Sequence, residues 1–184
     1  YFIKDRNGDA ARFYATADSE VQAACFDFTN PEFLAWYKER VMKVLAMGVS
    51  VIKTDFSEAV PEDVVFYDGS NGIQGHNKLT YLYAETIYGF MQESSKSTGI
   101  MPLLWGRSGF AGSHRIPAAW AGDSSGALNN HAAILGGGLS LALSGVAFWG
   151  FDMGGFYSTD ADGNECRPSD EEYLRSVEMG FFMP

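Results

Sequence analysis

Two aspartates stand where apolar runs break into charge. In VIKTDFSE (51–58) the β-branched start gives way to Lys53, Thr54 and Asp55, then Phe56. In AAWAGDSS (118–125) Trp120 precedes Asp123. Paired carboxylates can divide the cleavage of a glycosidic bond: one attacks the anomeric carbon, the other protonates the leaving oxygen. Nothing in their spacing shows that the two meet, and aspartates that cap helices or form ion pairs are commoner. Lys53 and Arg107 would add positive charge beside the attacking carboxylate; a structural ion pair is the plainer reading. Trp105, Trp120, Trp149, Phe56 and Phe151 cluster near the same run ends. Aromatic faces stack on sugar rings, yet aromatics also fill cores.

The remaining chemistry-bearing types point elsewhere. His76, His114 and His131 lack metal-ligand spacing, so hydrogen-bonding roles are expected and no metal or cofactor. LGGGLS (135–140) lacks both the phosphate-loop lysine and the dinucleotide fingerprint and reads as close packing in a helix. DADGNE (160–165) misses the calcium-loop spacing and reads as a surface turn. GRSG (106–109) is no nucleophile elbow.

Those residues need elements to carry them. A strand is expected over 49–56, entered through Gly48. A helix precedes it, begun either by a Thr29/Glu32 capping box or by Asn30 with Pro31 in the first turn. A helix is expected over 75–94, a strand over 100–109 ending in Arg107, and a short strand running to Asp123. A loosened helix follows over 129–145, then a strand ending in Asp152, and a last helix from Ser169, where Ser169 and Glu172 form a capping box. The stretch 1–28 reads as strands and turns. This alternation predicts an α/β fold, a parallel sheet covered by helices. Asp55, Arg107, Asp123 and Asp152 all fall at strand C-terminal ends, which converge on one face in a (β/α)8 barrel. A whole barrel takes about 250 residues, and this chain has 184.

Net charge is −10 without a basic run, a poor match for nucleic acid or an anionic membrane surface. No stretch reaches about 18 apolar residues, the length of a membrane span. Cys25 and Cys166 lie far apart, as free thiols in a reducing, cytoplasmic compartment would. Self-association is left open.

KTDFSE (53–58), GRSGFAGSHRIPAAWAGDSS (106–125) and FWGFDMGGF (148–156), with the helix DFTNPEFLAWYKERVMKVLAMGV (27–49) before them, resemble glycoside hydrolase family 31 in the right order. The resemblance implies a partial (β/α)8 barrel over residues 1–184, its middle to late βα units, with the family's flanking β domains absent. It implies a retaining exo-α-glycosidase acting on oligosaccharides with a terminal α-xyloside or α-glucoside, and no cofactor. Asp55 carries over as nucleophile and Asp123 as acid/base, with Lys53, Phe56, Arg107, Trp120, Asp152 and Trp149 around the sugar. Retention needs the two carboxyl groups about 5–5.5 Å apart. Ser57 stands where the family commonly has glycine, and Ala121 likewise. The alternative is a carbohydrate-binding or inactive barrel fragment; an isolated 184-residue chain is expected to be nearly inactive.

Overall fold

The computed structural model describes residues 1–14, 22–160 and 162–184. The expected strand-and-turn stretch beyond Tyr14, and Ala161 in the DADGNE turn, lie outside them. Two compact units divide the chain, Tyr1–Ile116 and Pro117–Pro184.

The first unit opens with an antiparallel pair, β1 (Phe13–Tyr14) and β2 (Gln22–Ala23). Helix α1 spans Pro31–Ala46. Its N-cap is Asn30, whose side chain accepts from the backbone N–H of Glu32 and Phe33, and Pro31 takes the first helical position, where no N–H is needed. The Thr29 capping box does not form. The Thr29 hydroxyl instead donates to the Asp27 carboxylate at 2.6 Å, which also accepts from the Tyr67 N–H at 2.7 Å. Asp27 is fully buried, and a buried carboxylate must collect such donors.

Strand β3 (Val51–Thr54) is shorter than expected, because Phe56 and Ser57 turn left-handed with φ of 57° and 80°. Helix α2 (Gly72–Thr98) starts earlier than expected. Its capping box is Asn71 with Gln74, a signal present in the sequence and hidden by the glycines around it. Strand β4 (Leu103–Gly106) lies parallel to β3, with Thr54 opposite Gly106. Phe26, Phe28, Phe33, Trp36 and Tyr37 pack ring on ring beneath this unit, and Val41, Leu45, Ile87, Met91 and Leu104 fill the space between α1, α2 and β4. Amphipathic helices with apolar residues every three to four positions supply that core.

The second unit has a parallel pair, β5 (Ala118–Trp120) and β6 (Phe148–Gly150). Between them runs α3 (Leu128–Leu143), and α4 (Asp170–Phe181) closes the chain with the Ser169–Glu172 capping box formed. Ile134, Trp149 and Phe151 form its core. LGGGLS is helical, and the reason for one glycine is direct: a Cβ built on Gly138 would overlap the Trp149 ring, while Gly136 and Gly137 face open space. Several α3 leucines, among them Leu135, Leu139 and Leu143, are exposed. Asp160 folds its own turn by accepting from the Asp162 and Asn164 N–H groups. No helix among the described residues is long and apolar enough to cross a membrane.

Gly138→Ala forces α3 off the Trp149 ring and should cost about 1–3 kcal/mol, read as a lower thermal midpoint, whereas Gly137→Ala should be neutral or stabilising. Burial, with the Asp27 carboxylate nearby, pushes the Cys25 thiol from 9.0 up to about 11. With Ellman's reagent at about pH 8 the exposed Cys166 should react at once, and Cys25 at least about 100-fold more slowly until the protein unfolds. Because the folded value is the higher one, the stability that the buried neutral thiol confers is full below about pH 9 and is lost as pH rises through about 11.

Candidate active site

The parallel register brings the first group together. Thr54 pairs with Gly106, and the Arg107 N–H donates to the Thr54 carbonyl at 3.1 Å. The next residues, Asp55 and Arg107, therefore leave adjacent strand ends side by side. Arg107 Nη1 donates to Asp55 Oδ1 at 3.0 Å. The Phe56 N–H donates to the same oxygen at 2.9 Å. The Arg107 guanidinium carbon lies 4.9 Å from the Phe56 ring centre, within cation–π range. Asp55 is half-buried and Phe56 exposed, which suits a carboxylate at the mouth of a binding surface. Lys53, on β3, is exposed.

Three residues join this group that sequence reasoning did not single out. Glu58 Oε1 accepts from Arg107 Nη2 at 2.9 Å, and Ser108 Oγ lies 2.6 Å from Glu58 Oε2. Both sit inside the quoted motifs, so the signal was there but not its geometry. Tyr83, from α2, lies behind Asp55. Burial pushes its phenol up to about 12, the charges that Tyr37, Asp55 and Cys25 carry when ionised add to this, and a hydrogen bond with the Asp55 backbone pulls the other way. Nothing local in the α2 sequence points to that contact.

The second unit holds Asp123 in a tight turn. Gly122 is left-handed at φ 75° and its carbonyl accepts from the Ser124 N–H at 2.8 Å. The turn is tied to the loop after β6: Phe156 N–H donates to Ser124 O and Gly126 N–H to Tyr157 O. The glycine pair in DMGGF makes this approach feasible. Gly154 and Gly155 are left-handed, and a Cβ on Gly155 would strike the Gly126 backbone. The Gly154 N–H is anchored in turn by Ser176 Oγ of α4 at 2.7 Å. Asp152 is half-buried at the start of that loop. An open cavity of about 540 Å³ is lined by Trp120, Asp123, Ser124, Asn130, Trp149 and Tyr157 among others. Trp120 and Trp149 are both buried; Trp149 presses its ring on Gly138, so core packing takes much of it. The buried Ser124 hydroxyl finds no hydrogen-bond partner among the described residues.

Two of the histidines have other contacts: His76 Nδ1 pairs with the Val60 carbonyl at 2.7 Å, and His131 meets Phe151 edge-on. Among the described residues, no three His, Cys, Asp or Glu side chains group closely enough to hold a metal ion.

The sequence profile of the glycosyl hydrolases family 31 TIM-barrel domain matches residues 1–184. The chain belongs to that family. It is 34% identical over 182 residues to an α-xylosidase from Emericella nidulans, covering 98% of this chain and 22% of that protein. It is 37% identical over 155 residues to an α-xylosidase from Lactiplantibacillus pentosus, covering 84% and 19%. A solved family 31 sulfoquinovosidase from E. rectale, in complex with an aza-sugar inhibitor, superposes with a TM-score of 0.82 at 28% identity, over 100% of this chain and 27% of that one. The chain thus spans about a fifth to a quarter of the relatives it matches. Its paired parallel strands and covering helices are those of a partial family 31 barrel.

Ser57 sits in strained backbone. At φ 80° its backbone is where glycine is at ease and a Cβ is not. Ser57→Gly should raise stability by up to about 1 kcal/mol, measured as a higher denaturant midpoint with an unchanged slope.

Proposed function

We propose that the native gene product is a retaining exo-α-glycosidase to which this chain contributes the βα units carrying both catalytic carboxylates. The single observation that carries the reading is the Arg107–Asp55 contact at adjacent parallel strand ends, 3.0 Å between Nη1 and Oδ1. Two donors fix Oδ1, so Oδ2 carries the attack. Oδ2 adds to the anomeric carbon as the bond to the leaving oxygen breaks, and Asp123 gives that oxygen its proton. Asp123 then takes a proton from water, which attacks the same carbon, expels the Asp55 carboxylate and restores the original anomeric configuration. Lys53, Phe56, Arg107, Trp120 and Asp152 contact the terminal sugar, and Trp149 backs it through the cavity wall. The buried Ser124 hydroxyl, without a hydrogen-bond partner among the described residues, suits a hydroxylated ligand, since a buried polar group needs a partner.

Among substrates, α-xylosides come first, supported by the two α-xylosidases described above, and α-glucosides second. Relatives named sulfoquinovosidase, such as that of Escherichia coli at 30% identity, add a third candidate sugar. The full-length product should therefore be assayed on 4-nitrophenyl α-xyloside, α-glucoside and α-sulfoquinovoside. The highest kcat/KM is expected on the xyloside, with the α-anomer of the sugar appearing first by proton NMR. First appearance of the β-anomer would exclude a retaining enzyme. Asp55→Asn should lower kcat at least about 10⁴-fold while leaving sugar binding measurable by calorimetry. Undiminished turnover would remove Asp55 from the chemistry. Sugar binding without turnover in the parent would favour a carbohydrate-binding role.

A further inference from the structure

Arg107 reaches a second carboxylate. While Nη1 holds Asp55, Nη2 holds Glu58 Oε1 at 2.9 Å. The other oxygen of Glu58 meets Ser108 Oγ at 2.6 Å, and that hydroxyl also lies 2.8 Å from the Phe56 carbonyl. Residues 55–58 thus wrap around one cation, touching it with a carboxylate, a ring face and a second carboxylate. Such a wrap needs a sharp reversal, and Phe56 and Ser57 supply it at the cost of left-handed backbone. Ser108 is the peg across the reversal: its one proton serves the Phe56 carbonyl and the Glu58 carboxylate. The Arg107 side chain is only 17% exposed, so the contacts are partly shielded from water. A planar guanidinium gripped at both amino groups is fixed in direction as well as position.

We propose that Glu58, braced by Ser108, is a positioning residue for the glycosidase reaction. It fixes one arm of Arg107 so that the other aims Asp55, and it holds the turn through which the Phe56 N–H binds Asp55 Oδ1. Glu58 touches neither the sugar nor the reacting atoms. The proposal rests on the assignment of Asp55 as nucleophile. Without the brace, Arg107 and the turn relax together and the attacking oxygen drifts; a misplacement of about 1 Å costs on the order of 100-fold in rate.

The test uses the full-length gene product and whichever 2,4-dinitrophenyl α-glycoside it turns over, a leaving group that needs no proton. Glu58→Gln, isosteric with the parent, and Ser108→Ala should each lower kcat about 10- to 100-fold with KM within about threefold, and azide should restore neither. The double variant should be hardly worse than Glu58→Gln, because both changes break one unit. Asp55→Ala should fall further and be restored by azide as the β-glycosyl azide. A Glu58→Gln kcat within about twofold of the parent, beside an inactive Asp55→Ala, overturns the brace and leaves the nucleophile standing. Azide rescue of Glu58→Gln overturns it too, since Glu58 would then be the attacking group. So does a loss that tracks the unfolded fraction by circular dichroism, with normal turnover per folded molecule. An Asp55→Ala as active as the parent overturns the nucleophile assignment, and the brace with it.

Discussion

The pairing of β3 with β4 is the constraint on which the first unit's chemistry depends. Parallel strands hydrogen-bond in fixed register. The register here sets Thr54 against Gly106, with the Arg107 N–H closing the ladder on the Thr54 carbonyl. Two side chains 52 positions apart in sequence are thereby delivered to neighbouring ends. A slip of one residue would turn the side chains of one strand to its opposite face and separate the arginine from its carboxylates. The helices hold that register: α1, α2 and β4 share one buried core.

Electrostatics then refines what the register delivers. One guanidinium bridges two carboxylates, and Asp55 and Glu58 keep 42% and 39% of their side chains in solvent. That exposure also makes either pair weak as a source of stability. The grip is better understood as directional. It is bought with two left-handed residues, and local strain of this kind collects where a side chain must be aimed. Tyr83 beneath the site, with its phenol pushed up by burial, contributes a neutral floor rather than a third charge.

In the second unit, glycines set much of the positioning. Gly122 tightens the turn at Asp123, Gly154 and Gly155 let the loop after β6 approach Gly126, and Gly138 admits the Trp149 ring against α3. Each occurs where a Cβ would collide or the backbone must turn left-handed. Ser176 ties the arrangement to α4 through one buried hydrogen bond. The exposed leucines of α3 show that this helix has more apolar face than its own unit covers.

Much of this was legible in the sequence. Periodicity and capping residues determined the alternation of strands and helices, the final helix start at Ser169, and the placing of Asp55, Arg107, Asp123 and Asp152 just beyond strand ends, because these are local properties. Where local signals competed, tertiary structure decided. Thr29 lost the capping role because a buried Asp27 claims its hydroxyl. Strand β3 ended at Thr54 because the chain must wrap around Arg107. Glu58, Ser108 and Tyr83 entered the site only through contacts reaching across dozens of residues. A sequence specifies residue types and nearby spacing; which distant groups share a proton, a charge or a ring face is fixed only when the strands pair and the helices pack.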